Sequence, residues 1–79
     1  MSFEKDLKWA IYLDYYGDFL TEKQLCAMSL YYNEDYSLSE IAEDMDITRQ
    51  GVLDVLKRAQ KKLSDMEDKL HLVAAKTEK

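Results

Sequence analysis

The chain has 79 residues, of which 47% are hydrophobic and 34% charged, with a net charge of −5. That length leaves no room for a second full domain, and the apolar content excludes a chain disordered throughout. Proline is absent and there are only two glycines, so little interrupts helices and the composition points to an all-α fold.

The opening MSFEKDLKW lacks the basic-then-apolar order of a signal peptide, and no apolar run approaches a bilayer span. A cytoplasmic protein without membrane insertion is therefore expected. The first helix is expected from about Glu4 to Tyr16, with Gly17 suited to its end. In FLTEKQL, Thr21 can cap the free amides of a new helix and Gln24 completes a capping box, while Leu20 and Leu25 form the apolar pair around it. This places a second helix at about 22–32. Within it Cys26, beside Leu25 and unable to form an internal disulfide, reads as a small buried core residue rather than a nucleophile.

The same grammar recurs in YSLSEI, where Ser37 caps, Glu40 reaches back and Tyr36 packs against Ile41, giving a third helix at about 38–45. In ITRQGV it recurs in part: Thr48 caps and Ile47 pairs with Val52, but Gly51 stands where a glutamate or glutamine would close the box. A fourth helix runs from 49 onward. Only Asp46 to Thr48 separate the third and fourth helices, too few residues for an antiparallel pair and the right number for a helix-turn-helix at about 38–62. Ala42 is expected at the close approach, Ile47 in the turn, and Val52 and Val55 on the inner face. Asp46 occupies a turn position where glycine is common, and aspartate tolerates the left-handed conformation better than most residues.

Beyond the motif a helical tail of about 63–75 completes a single domain spanning 1–79. Leu56, Ala59, Leu63, Met66, Leu70 and Val73 follow at spacings of three and four, as in a coiled-coil seam, so Leu63, Met66, Leu70 and Val73 form a candidate oligomer seam. Two covers fit that stripe: the first helix, through Leu7, Ile11 and Tyr15, or a second copy in a homodimer, with Lys62 and Glu67 flanking the seam. His71 lies outside it and is expected to face solvent.

The working surface is sought on the opposite side of the fourth helix, where Gln50, Asp54, Lys57, Arg58 and Lys61 share a face. From Arg49 to Lys62 the segment is net +4, whereas residues 1–36 are net −4, so overall acidity does not exclude nucleic acid. In a major groove, Arg49 and Gln50 would offer bidentate bonds to guanine and adenine edges, while Lys57, Arg58, Lys61 and Lys62 would meet phosphates. Asp54 would repel phosphates unless it accepted a bond from a cytosine amino group, and Leu53, off the inward stripe, reads as an exposed protein contact. The plainer alternative is a solvated face with Asp54 paired to Arg58.

Elsewhere the sequence is quieter. Tyr12, Tyr15, Tyr16, Tyr31, Tyr32 and Tyr36 read as core and rim packing, with an aromatic patch for a protein or single-stranded RNA as the alternative. No catalytic constellation, metal set, calcium loop or cofactor cradle is present, so an enzyme is not expected.

The run from Asp14 to Leu70, with LTEKQ at Leu20 to Gln24, YYNEDYSLSEIA, and TRQGV…KR from Thr48 to Arg58, resembles the YlxM family of small bacterial helix-turn-helix proteins. That family is similar to the C-terminal DNA-binding region of sigma factors. The resemblance implies a four-helix sigma-factor-like fold with an extended last helix. It also implies a regulatory or accessory role in the signal recognition particle pathway, with the particle's RNA or protein components, or DNA, as partners. Carried over from sigma-like relatives, the DNA-facing residues would be Thr48, Arg49, Gln50, Asp54 and Lys57. Family members tend to continue further in helix after Lys69 and Leu70, whereas this chain stops at Lys79, so a dimer interface built from that tail is expected to be reduced or missing. Two further readings stand beside the accessory role: a DNA-binding transcription regulator, and an interaction domain whose tail seam recruits another helix.

Overall fold

The structure, a computed structural model, describes residues 7–77. It is built from α1 (Leu7–Tyr16), a 3-10 turn (Gly17–Phe19), α2 (Glu22–Tyr32), α3 (Leu38–Met45), α4 (Arg49–Leu70) and α5 (Leu72–Thr77). The expected start of the first helix at Glu4 lies outside the described residues. Among the described residues no strand occurs, and no helix is long and apolar enough to cross a membrane.

Three helix starts form as their local residues dictate. Thr21 accepts from the Gln24 amide at 3.1 Å while Gln24 Oε1 accepts from the Thr21 amide at 3.1 Å, and Ser37 and Glu40 repeat the box at 3.1 and 2.7 Å. Thr48 Oγ1 accepts from the Gly51 amide at 2.9 Å. Between α3 and α4 the turn is made by Asp46 at φ 59°, ψ 46°, with the Ile47 amide donating to the Ala42 carbonyl at 3.0 Å. This is the helix C-terminus that glycine usually supplies, here built by an aspartate.

Helix α4 is the axis on which α1, α2 and α3 pack. Its inward row, Val52, Leu56, Ala59 and Leu63, is fully buried against Tyr16, Ala27, Met28 and Ile41. Gln60 Nε2 donates to the Tyr32 hydroxyl at 2.6 Å and ties α2 to α4. The tyrosines divide as packing residues. Tyr16 and Tyr31 are buried, Tyr12, Tyr32 and Tyr36 pack half-buried on the core, and edge-on ring contacts join Trp9 to Tyr12 and Tyr31 to Tyr32.

Four expectations change. Cys26 is exposed, because α2 turns the adjacent Ala27 and Met28 toward α4 instead. Leu7 and Tyr15 do not cover the α4 stripe: Leu7 is 74% exposed, and α1 buries Leu13 and Tyr16. Leu53 is half-buried against the core rather than exposed, since α3 and the turn widen the covered side of α4. The straight seam breaks at His71, which adopts φ 56°, ψ 31° and leaves α5 folded back onto α1.

Candidate nucleic-acid interface

The second helix of the motif begins with Arg49 and Gln50, both exposed. Helices α2 and α3 carry Glu22 and Glu40 in their first turns, whereas α4 has no acidic residue there. An arginine at this end adds to the positive potential of the helix dipole, which costs helix stability but suits an anion. Gly51 serves the same opening geometrically. A Cβ there would lie 3.2 Å from Thr48 Oγ1, so a larger residue would crowd the cap.

Asp54, Lys57, Arg58, Lys61 and Lys62 are exposed along the outward side of α4. Two of these cations are engaged within the helix: Arg58 Nε lies 3.3 Å from Asp54 Oδ2, and Lys61 Nζ lies 3.4 Å from Asp65 Oδ2. With side chains 73% and 60% exposed, the Arg58–Asp54 pair is screened by water and contributes about 0–1 kcal/mol, so a phosphate can compete for the arginine. Arg49, Lys57 and Lys62 have no ion pair among the described residues. The adjoining α3 is of opposite sign: residues 37–48 are net −4, and Tyr36, Glu40, Glu43 and Asp44 line an open, shallow hollow on it.

Of the candidate oligomer seam, Leu63, Met66 and Leu70 stay on α4 and Val73 passes to α5, and their burial differs. Leu63 is fully buried inside the chain, Met66 and Val73 are half-buried, and Leu70 is 47% exposed. Glu67, expected to flank the seam, is instead buried among α1, α4 and α5. Its carboxylate accepts from the Tyr16 hydroxyl at 2.5 Å and from the Val73 and Ala74 amides at 3.2 and 3.0 Å. The Leu72 amide donates to Tyr16 Oη at 3.1 Å. Sequence reasoning missed this group although a signal existed. Glu67 follows Leu56 by eleven residues, about 20° off its direction on an ideal helix, so it lies on the inward row.

The tyrosine hydroxyl, above all, holds the Glu67 carboxyl below the ordinary glutamate range; burial opposes this, and the two amides and His71 add to it. Burial pushes the Tyr16 hydroxyl above its ordinary range, and the bond to Glu67 adds to the rise. The proton therefore stays on Tyr16 and the charge on Glu67.

A family model described as "Putative helix-turn-helix protein, YlxM / p13 like", UPF0122, matches residues 3–79. Among similar proteins are UPF0122 proteins of Clostridium kluyveri, 48% identical over 92% of this chain and 66% of the relative, and of Acetivibrio thermocellus, 50% identical over 89% and 60%. A third, from Streptococcus mutans serotype c, is 46% identical over 91% of this chain and 66% of the relative. The chain thus spans 60 to 66% of the length of these curated relatives.

Proposed function

Since the chain belongs to the UPF0122 family of YlxM / p13-like helix-turn-helix proteins, we propose that it is a non-enzymatic, cytoplasmic regulatory protein that meets nucleic acid through the outward face of α4. Duplex DNA is the ligand this geometry fits best. The observation that carries the reading is the start of α4: an exposed Arg49 and Gln50 on a helix with no first-turn acid, followed by Lys57, Arg58, Lys61 and Lys62 on the exposed surface. A helix entering a major groove by its N-terminus places such residues on base edges and its later cations on phosphates. The deep, narrow major groove of duplex RNA does not admit a helix in this way. Thr48, Arg49, Gln50, Asp54 and Lys57 then take the sigma-like positions on the groove, with Leu53 behind them supporting the face from the core.

A second reading has its own support. The Asp54–Arg58 pair and the acidic α3 weaken attraction to a DNA backbone, because the first helix of such a motif crosses that backbone. This favours an accessory protein that acts with signal recognition particle RNA or protein components, the role implied by the resemblance. In that case α4 meets exposed loops of the RNA or an acidic protein surface. The candidate seam of Leu63, Met66, Leu70 and Val73 would serve a homodimer only after rearrangement of α5.

Binding should be titrated at several salt concentrations against random duplex DNA and signal recognition particle RNA in parallel. A variant carrying Lys57→Glu, Arg58→Glu and Lys61→Glu is the control. Salt-sensitive DNA binding that is lost in the variant supports the groove reading, and preference for the RNA selects the accessory role. Binding to neither overturns both nucleic-acid readings and leaves α4 a surface for protein. Asp54→Asn should strengthen DNA binding; unchanged affinity would remove Asp54 and its face from the groove.

A further inference from the structure

The break between α4 and α5 falls where nothing local requires it. Leu70, His71, Leu72 and Val73 include neither glycine nor proline, and the three-four spacing of Leu63, Met66, Leu70 and Val73 runs through the break unaltered. By its own sequence α4 would continue. His71 instead takes a left-handed conformation, φ 56° and ψ 31°, which residues bearing a Cβ seldom adopt, with its amide donating to the Glu67 carbonyl at 2.8 Å. Its side chain is exposed. The cause of the bend lies elsewhere.

That cause is the group at Tyr16 and Glu67. In the bent arrangement the amides of Val73 and Ala74 donate to the Glu67 carboxylate, and the Leu72 amide donates to Tyr16 Oη. In a straight helix the same three amides would donate to the carbonyls of Asp68, Lys69 and Leu70. Both arrangements satisfy the same donors, so neither leaves a buried amide unpaired. At six residues, α5 is too short to hold itself as an isolated helix and depends on the Glu67 carboxylate and on contact with α1.

We infer that α5 is a hinged flap. His71 is the hinge, Glu67 and Tyr16 form the clasp, and release lets α5 swing off α1 and join α4 as one continuous helix. Opening uncovers the Tyr16 end of the core. It also brings Val73 into line with Leu63, Met66 and Leu70, which already share α4, so the full row encoded by the sequence exists only in the open form. A two-arrangement element of this kind can be biased by any ligand that prefers one of them.

The test uses nitroxide labels at Asp14→Cys in α1 and Ala74→Cys in α5, in a Cys26→Ser background, read by continuous-wave and pulsed electron paramagnetic resonance. The parent should give a short distance with a smaller, longer population. His71→Gly relieves the left-handed conformation and disfavours helix, so it should deplete the longer population; His71→Ala does the opposite and should enlarge it. The ratio of the two populations should differ between these variants by about tenfold or more. Glu67→Gln should move the chain in the same direction as His71→Ala. Because His71 is exposed, its two variants leave the core intact, and unchanged far-ultraviolet circular dichroism verifies this. Identical distance distributions in the parent and both His71 variants would overturn the hinge. So would an equal growth of the longer population in Gly and Ala, which would mark general loosening.

Discussion

Helix α4 is fastened at its start by Thr48, three positions from the amide it caps, and at its end by Glu67, whose hydroxyl partner Tyr16 lies 51 positions back along the chain. The start stands in water, carries Arg49 and Gln50, and has no acidic residue in its first turn. The end is closed in: Glu67 is only 9% exposed and every neighbour that fixes it comes from packing. A cap within one turn leaves the outer surface of a helix unconstrained, so its residues are free to suit a ligand. A clasp between distant elements instead commits three helices at once, and gives the chain a place where a change of arrangement has consequences far from the hinge.

The largest expected effect tests whether these two ends belong to one cooperative unit. Leu56 lies fully buried in the row between them, and Leu56→Ala should cost about 2–5 kcal/mol by urea denaturation. Hydrogen exchange should then accelerate at both ends together. Acceleration at one end alone would divide α4 into independently stable parts.

Acid should act on the far end. Because native Glu67 binds its proton less readily than in the unfolded chain, its stabilisation is complete above the ordinary glutamate value of 4.5 and is lost as pH falls through the lower native value. Tyr16 has the opposite sign: its contribution is complete below the ordinary tyrosine value of 10.0 and is lost as pH rises through the higher native value. The contribution of this pair to urea midpoints should therefore be flat between these limits, with an acid limb that shrinks in Glu67→Gln. An acid limb of undiminished size in that variant would assign it to other carboxylates. Exchange at the Leu72, Val73 and Ala74 amides should quicken on that limb before exchange at the start of α4 does.

At the near end, Thr48→Ala should cost about 1 kcal/mol and quicken exchange at Gly51 while leaving the amides of α5 as they were. A matching change in α5 would mean that the cap is not local in effect. Smallest is Asp46→Gly, which relieves a left-handed aspartate at φ 59° and should stabilise by a few tenths of a kcal/mol, up to about 1, while leaving exchange at the α5 amides unchanged.

The legible parts of the molecule were those decided within a few residues. Thr21 with Gln24, Ser37 with Glu40, and Thr48 with Gly51 each act across three positions, so the order and starts of α2, α3 and α4 could be read directly. The short turn through Asp46 and the inward row of Val52, Leu56, Ala59 and Leu63 followed from spacing alone. Residues on α1 and α2 were harder. Both helices are apolar on more than one side, and periodicity pointed to Leu7 and Cys26 as inward residues where packing buries Leu13 and Met28 instead. Glu67 was passed over because a carboxylate is not counted in an apolar row, although its position is on it.

The sequence by itself determined the order of α1 to α4, the caps that open α2, α3 and α4, the turn of the motif and the separation of charge between α4 and the rest, because each depends on neighbours within about one helical turn. The tertiary structure alone decided which sides of α1 and α2 face inward, that Tyr16 meets Glu67, and that α4 yields to α5 at His71. Those outcomes depend on groups brought together across the whole chain, where burial of one carboxylate and one hydroxyl is tolerable only once both have found each other.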